Sequence, residues 1–287
     1  MELFAFLNNN LIGRNEAKIS IHDRGFKFGD GLFTTIALIK GVPLFWDLHL
    51  NRIKLGLAAL KIDAKINDLH DKIKLLVEKN LNYDGIVRII ITRGEGSRGY
   101  TPTNQSEANI LIEMENNPPA IINIIEDDRF LNKPINLHVS EWRKIPPECL
   151  PTEFKIMQGI NPTLARIDAI GGKYDDALML SYDGFVSEVA ASNIFWFDKT
   201  ELCTPPLKTG CLNGVMRQKI MQITNVKEKL ILHSELYKKP CFATNSLNGL
   251  TPIKTINGNE LPNCESYIQK LQSELRQLIS VEIMEYI

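Results

Sequence analysis

The sequence is short of the features that mark a stapled, metal-bound or membrane-spanning chain. Its 287 residues hold five cysteines, Cys149, Cys203, Cys211, Cys241 and Cys264. They are odd in number, scattered and never spaced C-x-x-C, which argues against a disulfide framework and a zinc site alike. The five histidines, His22, His49, His70, His138 and His233, form no H-x-x-x-H pair, so no metal is expected. No apolar run approaches the roughly 20 residues that cross a bilayer. The start, Met1-Glu2-Leu3-Phe4-Ala5-Phe6-Leu7, lacks the basic region of a signal peptide. A cytoplasmic protein without membrane contact is the expectation. An excess of one charge is missing too: 33 Lys and Arg face 34 Asp and Glu. With no basic stripe either, no nucleic-acid partner is expected.

What is present is an ordinary globular balance, 44% hydrophobic and 23% charged, in a chain long enough for two unequal domains. Residues 47–60 and 67–81 carry apolar side chains at helical spacing, the second run behind Asn67 as a cap. Residues 85–92 (GIVRIIIT) and 108–114 (ANILIEM) are rich in β-branched residues and read as strands. With an opening hairpin they make a small domain over 1–116. The polar, proline-bearing run Glu115-Asn116-Asn117-Pro118-Pro119 leads into a linker over 117–134. Residues 135–287 read as a larger mixed domain. Its expected strands lie at 135–139, within 177–197 around a Tyr182-Asp183-Gly184 turn, and at 229–232; its helices lie at 161–170, 214–223 and 266–286.

No single segment carries chemistry alone. The glycine-spaced run from Arg93 to Tyr100 (RGEGSRGY) lacks the lysine and helix of a nucleotide phosphate loop. Read in order, however, several segments gain meaning together. They are Phe28-Gly29-Asp30-Gly31-Leu32-Phe33-Thr34-Thr35, His49-x-x-Arg52, the arginine-glycine loop, Lys155 nine residues before Leu164, Glu188 five before Asn193, and Leu212-Asn213-Gly214-Val215-Met216-Arg217. In that order and spacing they resemble the fold type IV pyridoxal-phosphate (PLP) enzymes, a family of branched-chain aminotransferases, D-amino-acid aminotransferases and aminodeoxychorismate lyases.

The resemblance covers nearly the whole chain. It implies an α+β fold of two domains, a small N-terminal α/β domain and a larger C-terminal one with a central β-barrel-like sheet. It also implies pyridoxal 5'-phosphate as cofactor, a small-molecule substrate and a homodimer. Lys155 matches the lysine that holds the cofactor as a Schiff base, Glu188 the carboxylate at the pyridine nitrogen, and Arg52 the phosphate arginine. Gly214 and Val215 match backbone phosphate donors, Ser246 a hydroxyl contact, and Leu212 a side chain packed on the ring. Ser192 and Asn193 join the cofactor set.

Elementary chemistry agrees with these matches. An aldehyde cofactor needs an amine that can lose its proton, which a shielded lysine provides. A carboxylate keeps a pyridinium protonated, so that the ring withdraws electrons. A guanidinium fork and a helix start both suit phosphate. Taken singly, each residue has a plainer reading: a surface lysine, a strand glutamate, a helix-surface arginine, a turn glycine.

Departures from the aminotransferase pattern separate the reactions. Phe28 stands where a tyrosine is common, Gly159-Ile160 where Asn-Tyr follows the lysine, and Thr35 where branched-chain enzymes have glycine. These positions are most similar to the aminodeoxychorismate lyase branch. There, Lys155 and Thr35 would be catalytic, and Arg93, Arg98, Tyr100 and Asn245 would bind substrate. For Thr35, β-propensity is a plain alternative reading. Gln158 departs from the asparagine often seen in the lyases. A D-amino-acid or branched-chain aminotransferase is the alternative, sharing every cofactor residue.

Overall fold

Apolar residues alternating with period two build the first sheet of the protein. The structure, a computed structural model, describes residues 3–102, 107–127 and 129–286. Two strands, β1 (Phe4–Leu7) and β2 (Asn10–Gly13), form the opening hairpin. A short helix, α1 (Arg24–Phe28), precedes β3 (Gly31–Ile39) and β4 (Val42–Pro43). Helices α2 (Trp46–Leu60) and α3 (Leu69–Asn80) follow, then β5 (Gly85–Thr92) and β6 (Asn109–Glu115). The strands pair antiparallel in the order β2-β1-β6-β5-β3-β4. Leu32, Ile36 and Leu38 of β3 and Val87, Ile89 and Ile91 of β5 share a core with Ile53 and Leu57 of α2 and Leu69, Ile73 and Leu76 of α3.

The second sheet is mixed and curls into a half-barrel. Its chain path is α4 (Ile122–Glu126), β7 (Ile135–Val139), α5 (Ile160–Gly171), β8 (Asp176–Leu180), β9 (Val186–Val189), β10 (Asn193–Asp198) and β11 (Glu201–Thr204). It continues through α6 (Val215–Ile223), β12 (Val226–Glu228), α7 (His233–Leu236), β13 (Cys241–Asn245), β14 (Gly249–Ile256), β15 (Asn259–Glu260) and α8 (Glu265–Tyr286). The strand order is β12-β11-β10-β13-β14-β7-β8-β9, with β15 beside β14. Strands β8 and β9 are buried along their whole length. They are joined by the Tyr182-Asp183-Gly184 turn, where Gly184 supplies the positive φ of 86°.

By contacts the chain divides into two compact units. One comprises Met1–Pro119, Phe154–Gln158 and Glu285–Ile287, the other Ala120–Glu153 and Gly159–Met284. The segment that bears Lys155 therefore groups with the N-terminal sheet, which sequence order alone does not suggest. The stretch expected as a linker also differs: Ile121 and Ile124 around α4 are buried, and residues from Ala120 onward belong to the second unit. The strand expected at 229–232 is corrected. Pairing with β11 places it at Val226–Glu228, with Leu202 opposite Val226, and Leu232 makes only an isolated bridge to Phe185.

Candidate active site

In the first unit, backbone hydrogen bonds fix Lys155. The Phe33 N–H donates to the Lys155 carbonyl at 2.9 Å, and the Met157 N–H donates to the Gly31 carbonyl at 3.0 Å. Leu32 and Ile156 complete an antiparallel bridge. The lysine segment thus lies along the start of β3. Gly31 is required there: a Cβ would meet the Ile91 carbonyl oxygen at 2.5 Å and Met157 Sδ at 2.8 Å. Lys155 Nζ stands 4.9 Å from the centre of the Phe33 ring, a cation–π contact on a half-buried amine.

The two faces of β3 carry different chemistry, because neighbouring strand residues point to opposite sides. Thr35 shares the Phe33 face and stands opposite Arg88 of β5. Sequence reasoning passed over Arg88, although it is the one charge in an apolar strand. It pairs with Glu113 at 3.5 Å and Glu115 at 3.3 Å. Thr34 points to the other face, toward α2. Its hydroxyl oxygen accepts from Arg52 Nη2 at 2.8 Å and lies 2.7 Å from His49 Nδ1. Arg52 is 7% exposed, and no carboxylate of the described residues forms an ion pair with it. Burial lowers its pKa to about 10. A buried cation without a counter-ion calls for an anion.

The arginine-glycine loop is braced by its first arginine. Arg93 donates from Nε and Nη2 to Asp30, and from Nη1 and Nη2 to the carbonyls of Lys61 and Leu60. Four of its five N–H donors thus brace the loop. Arg24 joins the same carboxylate at 2.8 Å. Arg98 and Tyr100 remain exposed, with the Tyr100 ring 5.4 Å from Phe28. Gln158 donates to the Phe28 carbonyl at 2.5 Å.

In the second unit, Glu188 is 5% exposed and wholly surrounded by donors. Lys144 Nζ reaches Oε1 at 2.5 Å, while Asn193 Nδ2 at 3.1 Å and the Leu212 N–H at 3.0 Å reach Oε2. Lys144 was not foreseen; its only signal was a cation shortly before Pro146-Pro147. Asn193 also donates to the Leu212 carbonyl at 2.8 Å, tying β10 to the chain that enters α6. Gly214 caps that helix without any side-chain bond to the first turn. A Cβ on Gly214 would lie 2.1 Å from Asn193 Oδ1. The first-turn N–H groups therefore lack the side-chain acceptor that usually caps a helix start. Asn245 Nδ2 donates to Ser192 Oγ at 3.0 Å and to the Ala191 carbonyl at 3.3 Å, and Ser246 is half-buried in the turn after β13.

The amino-transferase class IV signature matches residues 31–256, which include every one of these groups save Arg24, Phe28 and Asp30. The chain belongs to that family. The class IV family is PLP-dependent, and each unit taken by itself holds groups that suit the cofactor: an amine and a buried guanidinium without an ion-paired carboxylate in the first, an uncapped helix start and a buried carboxylate in the second. The chain is 27% identical over 266 residues to a Methanocaldococcus jannaschii protein assigned to the branched-chain-amino-acid aminotransferases, covering 90% of this chain and 89% of that one. It is 26% identical over 255 residues to the aminodeoxychorismate lyase of Vibrio harveyi, covering 86% and 91%. The branched-chain amino acid aminotransferase of Escherichia coli shares the fold with a TM-score of 0.87 at 20% identity, over 98% of this chain and 96% of that one. No described helix is long and apolar enough to cross a membrane.

Proposed function

We propose that this class IV protein is an aminodeoxychorismate lyase that converts 4-amino-4-deoxychorismate to 4-aminobenzoate and pyruvate, a step toward folate. One observation carries the reading. Thr35 places a hydroxyl on the same β3 face as Phe33, whose ring lies under the Lys155 amine. A transaminase moves a proton between two carbons of the same adduct and has no leaving group to protonate. A lyase releases one, and a hydroxyl on the strand face that meets the lysine suits that need. The 26% identity to the Vibrio harveyi lyase supports the same branch.

When bound, pyridoxal phosphate supplies the carbonyl that takes up the substrate amine and the electron sink for the neighbouring carbon. The protein's residues do the rest. Lys155 would hold the cofactor and, once released, would take the ring proton from the carbon that bears the substrate amine. Thr35 assists proton delivery to the departing enolpyruvyl group, which leaves as pyruvate while the ring becomes aromatic. Glu188 would keep the pyridine nitrogen protonated, and Asn193 and the Leu212 N–H hold that carboxylate in place. Arg52 and the N–H groups opening α6 would bind phosphate, with Ser246 as a hydroxyl donor, and Leu212 would pack on the cofactor. Ser192 and Asn245 form one hydrogen-bonded unit beside that turn. Arg98 serves a substrate carboxylate, with Tyr100 beside it. As in the family resemblance, a homodimer is the working form, and the cytoplasm its compartment.

The first relative named above supports a second reading, a branched-chain or D-amino-acid aminotransferase. The two are separated by supplying aminodeoxychorismate to one sample and leucine or D-alanine with 2-oxoglutarate to another. 4-Aminobenzoate and pyruvate from the first, with no glutamate from the second, is the expected result. Glutamate alone overturns the lyase reading. Retention of the yellow cofactor absorbance and full turnover by Lys155→Ala overturns the cofactor reading itself.

A further inference from the structure

His49 has no role in the function proposed above, yet it is fully buried on α2. Counting donors fixes its state. A guanidinium only donates, so the Thr34 oxygen uses one lone pair to accept from Arg52 Nη2. The hydroxyl proton then needs an acceptor, and His49 Nδ1 lies 2.7 Å away. If Nδ1 donated instead, the hydroxyl proton and the Nε2 lone pair would both be buried without partners. With Nδ1 accepting, only the Nε2–H is left unpaired, and Nε2 is indeed a buried nitrogen without a partner. The ring is therefore neutral, with its proton on Nε2. Desolvation drives its pKa well below the usual 6.5, and the charges of Arg52 and Lys155 act in the same direction.

The three side chains form a one-way relay in which Arg52 donates to Thr34 and Thr34 donates to His49. Each bond polarises the next. A protonated ring could not accept, and its charge would repel the guanidinium three positions further along the same α2 face, since residues i and i+3 are neighbours.

We infer that His49 is a positioning residue: as a neutral acceptor it turns the Thr34 hydroxyl so that Thr34 holds the Arg52 guanidinium for the cofactor's phosphate. The inference rests on the reading of Arg52 as the phosphate arginine, and the test separates the two. Protein freed of cofactor is titrated with pyridoxal phosphate and with pyridoxal, which lacks the phosphate, and absorbance reports both affinities. His49→Phe should weaken pyridoxal phosphate by about tenfold to a hundredfold, the worth of one hydrogen bond to a charged group, and leave pyridoxal unchanged. His49→Asn, whose amide oxygen reproduces the Nδ1 acceptor, should restore most of the loss. In an Arg52→Ala background, His49→Phe should cost nothing further. Equal weakening of both ligands by His49→Phe makes the residue merely structural and overturns the inference, as does an unchanged ratio. An unchanged ratio in Arg52→Ala alone refutes the phosphate reading instead. Should His49→Phe not fold, the isosteric Thr34→Val breaks the same relay and must show the same selective loss.

Discussion

Lys144 Nζ lies 2.5 Å from Oε1 of Glu188, with the lysine side chain 15% and the glutamate 7% exposed. Both charges are largely out of water, so each depends on the other. Replacing one partner of such a pair leaves an uncompensated charge, at a cost of about 3–5 kcal/mol. Lys144→Met is expected to destabilise the second unit by an amount in that range, read from urea unfolding at neutral pH. The double variant Lys144→Met with Glu188→Gln should recover much of the loss. A single variant as stable as the parent would mean that the pair contributes nothing.

Gly214→Ala tests the helix start from its covalent side. The backbone there, φ −63° and ψ 143°, suits any residue, so conformational strain is not the issue. Contact is: the new Cβ would sit 2.1 Å from Asn193 Oδ1. Asn193 would have to move, weakening its bonds to Glu188 and to the Leu212 carbonyl. A single methyl should therefore lower cofactor affinity by about tenfold or more, while stability falls by about 1–3 kcal/mol. Cofactor titration and thermal melting check the two parts. Unchanged affinity would show that the helix start has room to spare.

Much of this arrangement was legible in the sequence because it is local. A run of β-branched residues placed β5 at residues 85–92 and the helical period placed α2 within one residue of its observed start. The turn chemistry of Tyr182-Asp183-Gly184 was readable for the same reason. What escaped reading depends on partners distant in sequence. The strand at Val226–Glu228 lies where β11 offers a matching edge, although Lys229 to Leu232 has the stronger apolar look. Lys144 gains meaning only when β9 brings Glu188 to it. The bracing of Arg93 by Asp30 and the carbonyls ending α2 is likewise a contact between residues far apart in sequence.

Asp30 gives stability a dependence on pH. Burial pushes its carboxyl pKa up, but the bonds and charges of Arg93 and Arg24 outweigh that and hold it below the ordinary 3.8. A carboxyl depressed on folding stabilises the native state above its unfolded pKa and loses that contribution as pH falls through the folded value. Asp30→Asn should therefore be less stable than the parent at pH 5 to 7, and the gap should close as pH drops below about 3.8. Denaturant unfolding of both proteins across that range measures the gap. A gap that stays constant into acid would assign the loss to geometry and not to charge.

Gln272 is the opposite case, a polar group whose removal should help. It is 3% exposed on α8, and neither its Nε2 nor its Oε1 has a hydrogen-bond partner among the described residues. An amide buried in this way has given up water without replacement, at about 1–3 kcal/mol. Leucine is close in volume and carries no such debt, and Leu271, Leu275 and Ile279 already pack along the same helix. Gln272→Leu should raise stability by about 1–2 kcal/mol, with cofactor affinity unchanged because no hydrogen bond among the described residues ties it to the candidate site. Lower stability in the leucine variant would show that the amide is hydrogen-bonded in solution, by water or by a partner subunit, and would locate the ligand of that buried group.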